Sequence, residues 1–149
     1  VEYQERLGVP LRWWVQGTML IASLWLAVVV ALPAAVAWGV SGAALALMAL
    51  GLLSYGSARL SVHDGVFRAG RARIEAEHLG VATALDPEET RRTAGREADA
   101  RAYLLLRPYL KRAVRVQIAD PRDPTPYWLV STRHPEELAR ALHALAAAE

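Results

Sequence analysis

Four histidines, His63, His78, His134 and His143, are the side chains best suited to acid–base or metal chemistry, and their spacing supports neither. None sits at the interval that brings two imidazoles to one zinc ion, and none is paired with a nucleophile in a recognisable motif. His63 precedes an acid, Asp64, but Asp64-Gly65 is the two-residue signature of a β-hairpin, so His63 reads as a strand end entering a turn. Ser61 and Ser131 fall in strand patterns without a nucleophile elbow, and there is no phosphate loop, dinucleotide fingerprint or HExxH motif. In "ADPRDPTPYW", Asp120 and Asp123 could join a cation site, yet a calcium cage takes about 6–8 oxygens and nothing adjacent supplies the rest. Pro121, Pro124 and Pro126 make this a stiff structural loop instead. The chain has no cysteine, which removes disulfides, thiolate metal sites and thiol catalysis. The sequence therefore predicts no catalytic residue, metal or cofactor, and no enzyme. A headgroup-directed activity would have only His63 or Asp120 to use.

What remains is charge placed for contact. "ADARAYLLLRPYLKRAVRV" holds Arg101, Arg107, Lys111, Arg112 and Arg115 with no acid between Asp99 and Asp120. Beside a membrane, such a stripe attracts anionic lipid at about 1 kcal/mol per basic group near the surface. Its other reading is a solvated hairpin tip around Pro108. Arg107, Lys111, Arg112 and Arg115 are the predicted lipid or partner contacts; with a formal net charge of +2, nucleic acid is not expected as a partner. At the amino end, "YQERLGVPLRWW" sets Glu5 and Arg6 ahead of a Trp pair. Pairing of Glu5 or Arg6 with the domain that follows would fix that domain against the hydrophobic segment.

These residues are positioned by two regions of different character. From Trp13 to Ala58 the chain carries no ionisable Asp, Glu, Lys, Arg or His, whereas from Arg59 onward charge returns at ordinary soluble density. A membrane-spanning helix needs roughly 20 apolar residues to cross about 30 Å of hydrocarbon, and this run is 46 residues long. Two spans are expected, Trp14 to Leu32 and Val40 to Tyr55, with Pro33, Gly39, Ser41 and Gly42 as breakers; Pro33 could alternatively kink the first span. A cleavable signal ending at Ala35-Val36-Ala37 fits less well: the apolar run exceeds the usual roughly 7–15 residues, its amino flank is charge-balanced, and a second span follows at once. Trp13, Trp14, Trp38 and Tyr55 are the predicted interface anchors, with Trp38 at the turn. Ala27, Ala31, Ala35, Gly42, Ala46 and Ala49 are spaced for close helix packing, a weak signal in an alanine-rich chain. Arg59, Arg68, Arg71 and Arg73 follow the second span, so both termini are expected in the cytoplasm of a multi-pass cell-membrane protein.

Beyond Arg59 the pattern is of short strands: "RLSVHDGVFRAG" as a hairpin, then Ala72 to Glu75, Gly80 to Leu85, Ala102 to Leu106, Ala113 to Ala119 and Tyr127 to Thr132. "DPEETRR" reads as a short helical turn with Asp86 at its N-cap and Pro87 at its first position. "RHPEELARALHALAAAE" places Leu138, Leu142 and Leu145 on one face of a closing helix, with Thr132 available to cap it in place of His134. The order of strands and a terminal helix resembles a pleckstrin-homology-like (PH-like) domain, in which a helix plugs a bent antiparallel sheet. The expected class is an α+β membrane protein: residues 1–12 a cytoplasmic amino-terminal segment, 13–58 a transmembrane hairpin, and 59–149 a cytoplasmic β-rich domain.

The "YQERLGVPLRWW" start, the two uncharged spans, the basic stripe and "DPTPYWLVSTRHPEELARAL" together resemble the actinobacterial membrane family catalogued as domain of unknown function 3093. That resemblance implies class and location and no chemistry. The functional expectation is a non-catalytic accessory or adaptor, in contact with the lipid bilayer and with a membrane-protein partner or a second copy of itself. The alternative is sensing or handling of anionic lipid.

Overall fold

The computed structural model describes residues 2–148. They divide into two compact units: Gly8–Ser57 is one, and the residues up to Leu7 together with those from Ala58 onward are the other.

The first unit is a helical hairpin, α1 (Leu11–Ala31) and α2 (Ala34–Tyr55). Its connection is only Leu32 and Pro33, both extended. Proline lacks an amide to continue the hydrogen-bond ladder, so α1 stops before it, and its fixed φ suits the position ahead of α2. Pro33 is thus in the connection and does not kink α1. Gly39, Ser41 and Gly42, expected to break the chain, lie within α2. Scattered glycines cost a helix about 1 kcal/mol each relative to alanine, which does not stop a long cooperative run. Consequently Trp38 sits in the second turn of α2, not at the turn of the hairpin.

Among the described residues, the second unit holds eight strands, two α-helices and one turn of 3-10 helix, Ala76–His78. One sheet, in the order β1-β2-β3-β4, is built from β1 (Tyr3–Arg6), β2 (Arg59–His63), β3 (Val66–Ala69) and β4 (Ala72–Glu75), all antiparallel. The β2–β3 turn is Asp64-Gly65 as expected, with φ of +50° and +72°, the left-handed pair a type I′ turn requires. The other sheet, in the order β5-β7-β8-β6, contains β5 (Leu79–Leu85), β6 (Tyr103–Leu105), β7 (Ala113–Ile118) and β8 (Tyr127–Ser131). Here the expected all-antiparallel arrangement needs correcting, because β6 runs parallel to β8. Residues 106–112 are therefore a crossover and not a hairpin tip. Tyr109 pins it: the ring is 8% exposed and its hydroxyl donates to the Leu7 carbonyl at 2.6 Å.

The larger apolar core lies between the sheets and α4 (Pro135–Ala147), with a smaller cluster of Leu85, Ala113 and Leu129 apart from it. Leu60, Val62 and Phe67 come from the first sheet, Val114, Val116, Trp128 and Val130 from the second, and Leu138, Leu142 and Leu145 from α4. The alternation that buries Leu60 and Val62 exposes Arg59 and His63, so the first sheet has one dry face and one wet face. Thr132 does assist the start of α4, though indirectly: its hydroxyl accepts from the amide of His134, the N-cap residue itself.

Helix α3 (Pro87–Ala94) is longer than one turn and carries a full capping box, the Asp86 carboxylate accepting from the Glu89 amide at 2.7 Å and Glu89 answering at the Asp86 amide. The backbone amide of Glu89, above all, holds the Asp86 carboxyl below its ordinary value of 3.8. A depressed folded-state value stabilises α3 fully above that ordinary value and the contribution disappears as pH falls through the folded one. Amide-exchange protection in residues 87–94 is therefore expected to weaken on acidification below about pH 4. Asp86→Asn, which keeps the acceptor but does not titrate, should flatten that part of the profile; an unchanged profile would contradict the assignment.

Candidate functional site

The amino-terminal strand is joined to the far end of the β unit by one carboxylate. Glu5 accepts from the Tyr3 hydroxyl at 2.7 Å, from the Arg133 amide at 2.8 Å and from the Thr132 hydroxyl. Arg133 in turn donates from its guanidinium to the Arg6 carbonyl at 3.1 Å. Burial above all, and then the Glu5 carboxylate, push the Tyr3 phenol upward against the opposing hydrogen bond from Thr132. Glu5 and Arg6 thus engage the strand-to-helix junction Thr132-Arg133 within the unit to which they belong. The participation of Tyr3–Arg6 in a sheet was not foreseen from the sequence. Its signal was the alternation of inward Tyr3, Glu5 and Leu7 with outward Gln4 and Arg6, four residues too short and too polar to compete with the span that follows.

The predicted basic stripe is dispersed. Arg107 is half-buried at the start of the crossover, its amide donating to the Ser131 hydroxyl at 3.1 Å and its guanidinium to the neighbouring Leu106 carbonyl. Lys111 is exposed, Arg112 is exposed and donates to the Arg133 carbonyl at 2.8 Å, and Arg115 is half-buried on β7 opposite Leu129. Arg101 is held locally by Asp99, whose carboxylate accepts from its amide and guanidinium. That pairing lowers the Asp99 carboxyl and raises the Arg101 guanidinium.

A denser cationic surface lies on the wet face of the first sheet. Its register sets Arg6 directly opposite Arg59, and the next outward row runs Gln4, Ser61, Arg68, Arg73. The Arg59 carbonyl accepts from Gly70 at 2.9 Å, which brings the Gly70-Arg71 turn beside Arg59. A hollow of about 340 Å³ opens between β1 and β2 against Gln4, Glu5, Arg6, Arg59, Leu60 and Ser61. At the opposite end of the same strands the charge reverses: His63 is held between Glu2, at 2.8 Å, and Asp64, at 3.0 Å, and Glu75 lies two strands over, on β4 opposite Val66. In sequence, Arg59, Arg68, Arg71 and Arg73 were legible only as a positive flank; the pairing register makes them one surface.

The donor atoms of Glu75, Glu77 and His78 lie within 4.8 Å of one another, with Asp120 at 4.0 Å from His78. Glu75 and Glu77 are exposed and Glu77 already lies 3.2 Å from His78, so a solvated side-chain contact accounts for the arrangement. Asp120 and Asp123 each accept from a backbone amide two residues on, Arg122 and Thr125, as loop-forming aspartates do.

Within the hairpin, Trp13 at the start of α1 stacks on Tyr55 at the end of α2, with ring centroids 6.3 Å apart, and Trp25 packs on Trp38 at 5.3 Å. Trp14 is half-exposed on α1. The close helix approach is at Gly17, where an added Cβ would meet the Met48 sulfur, whereas Gly42 faces open space and Ala27, Ala31 and Ala35 are exposed.

A family model described as protein of unknown function (DUF3093) matches residues 2–142. The chain belongs to that family. The family's match runs from β1 through the hairpin and both sheets into α4, so it covers residues of both units. No curated protein and no solved structure matches the chain.

Proposed function

We propose that this member of the family is a membrane-anchored accessory protein: the hairpin crosses the bilayer twice, and the β unit is presented at the cytoplasmic surface to dock a membrane-protein partner. The observation that carries the reading is where the hairpin is inserted. β1 and β2 are hydrogen-bonded neighbours, with Arg6 opposite Arg59 and the Leu7 amide donating to the Ala58 carbonyl at 2.9 Å, and the whole hairpin lies between them in the chain. A chain that departs and returns at one point of one sheet must cross a bilayer an even number of times. Two helices of 21 and 22 residues, with mean hydropathy 1.8 and 2.0, are long and apolar enough to do so. α1 buries none of its residues, and water is an unfavourable solvent for so much continuous apolar surface.

Only four residues separate Arg6 from α1 and three separate Tyr55 from Arg59, so no flexible spacer lets the β unit drift from the membrane. The arginine-rich residues after α2 favour the cytoplasmic side. In element order, strands in two sheets closed by a terminal helix, we read the β unit as PH-like, with the parallel β6–β8 pair as its departure from that pattern.

The natural absence of cysteine makes the test simple. In intact cells, Leu32→Cys is expected to react with a membrane-impermeant maleimide and Arg91→Cys only after lysis. Affinity purification in mild detergent should then recover a membrane protein in fixed proportion. The reverse labelling pattern would overturn the topology. Recovery of this chain alone, as monomer or as self-assembly, would overturn the docking role.

A further inference from the structure

We infer that the wet face of the first sheet is a docking surface for anionic phospholipid headgroups, with Arg59, Arg68, Arg71 and Arg73 as its contacts; this rests on the hairpin being embedded in a bilayer. Like charges directly opposite on neighbouring strands repel and destabilise a sheet. This one carries two such pairs, Arg6 with Arg59 and Arg68 with Arg73. Among the described residues no acid lies within ion-pair distance of Arg59, Arg68, Arg71 or Arg73, all of which are exposed. The repulsion between Arg68 and Arg73 is relieved by an anion outside the molecule, and a guanidinium meets phosphate oxygens with a planar, two-pronged fit.

The distribution along the strands selects a membrane over a soluble polyanion. The arginine end of β1 and β2 is the end continuous in sequence with the two helices, while Glu2, Asp64 and Glu75 gather at the other end. Arg59 and His63 are four residues apart, about 13 Å of extended strand, which exceeds the roughly 8 Å Debye length at physiological salt. The acids therefore do not cancel the field at Arg59, while Arg73, in the middle row, stands two residues from Glu75 on β4. Such a gradient matches an anionic layer at the helix ends and would be poorly arranged for a ligand lying across the whole face. The dispersed Arg107, Lys111, Arg112 and Arg115, two of them half-buried, present no comparable row.

The test uses the full chain reconstituted in vesicles of phosphatidylcholine alone or with phosphatidylglycerol, carrying a fluorophore on Ser61→Cys in the outward row. Quenching by headgroup spin-labelled lipid is expected to rise when phosphatidylglycerol is present and to fall at high salt. Neutralising Arg59, Arg68, Arg71 and Arg73 to Gln should weaken the docked state about fivefold per residue, which is about 1 kcal/mol each. Neutralising Arg107, Lys111, Arg112 and Arg115 should leave quenching unchanged. Equal quenching in both vesicle types, with the chain still resistant to alkaline extraction, would overturn the lipid surface and leave the membrane anchor standing. Extraction of the chain by alkali would overturn the anchor itself. Capture by heparin or an acidic peptide that displaces the fluorophore from phosphatidylglycerol vesicles would reassign the face to a soluble polyanion.

Discussion

Phe67→Ala is expected to destabilise the β unit by about 3–5 kcal/mol, the usual cost of emptying a fully buried phenylalanine site. Phe67 is wholly inaccessible and stands where the two sheets meet. It faces Ile74 in register on β4 and Val62 on β2, and its ring lies 5.7 Å from that of Trp128 on the opposing sheet. Trp128 in turn contacts Tyr103 at 5.3 Å, so the cavity would sit in an aromatic cluster whose members cannot easily collapse into it. A domain is typically stable by only 5–15 kcal/mol, and the substitution removes a large share of that. Urea titration in detergent micelles, followed by near-ultraviolet circular dichroism of the aromatic cluster, measures the loss. Phe67→Leu should recover most of it. A midpoint unchanged in Phe67→Ala would mean that the two sheets do not share this core.

Glu5→Ala is expected to cost about 2–3 kcal/mol, since a hydrogen bond to a charged group is worth about 1.5–3 kcal/mol and a donor left buried without a partner incurs a further penalty. Thr132, only 1% exposed, would lose the acceptor of its hydroxyl, and the Arg133 amide would lose its carboxylate. Glu5→Gln preserves an acceptor and should cost less. The discriminating measurement is a double-mutant cycle of Glu5→Ala with Thr132→Val, in which the two changes should fall well short of additive. Strict additivity would show that Glu5 and Thr132 do not act on one another.

The sequence displayed the elements more readily than their partners. An uncharged run twice the length of a span, a two-residue Asp-Gly turn and an i, i+4, i+7 leucine face each report a local period, and α1, α2, the β2–β3 hairpin and α4 follow from them. The helix connection falls earlier than Gly39, Ser41 and Gly42 suggest, because only Pro33 removes a backbone donor. The parallel partnership of β6 with β8 is hidden in the sequence because consecutive strands most often read as hairpins, whereas here β8 stands between β6 and β7 and the connecting residues carry a distant contact, Tyr109 with the Leu7 carbonyl. The same is true of the candidate site. Five arginines scattered between positions 6 and 73 become a surface only once the registers Arg6–Arg59 and Arg68–Arg73 are known. Long-range pairing is a property of two segments at once, and no window along one segment contains it.

The interruption of one sheet by the hairpin also bears on how the protein is made. Tyr3–Arg6 leaves the ribosome ahead of Arg59–His63 and cannot pair with it until that strand has emerged, and Glu5 meets Thr132 only once β8 has been made. On the membrane placement proposed above, a nascent chain whose second helix failed to turn back would hold the two strands on opposite sides of the bilayer, with β2 left as a raw edge backed by the apolar Leu60 and Val62. Such an edge is what chaperones and proteases recognise. On the proposed membrane placement, closure of the sheet would act as a proofreading step for integration, passed only by chains whose β1 and β2 have arrived in the same compartment.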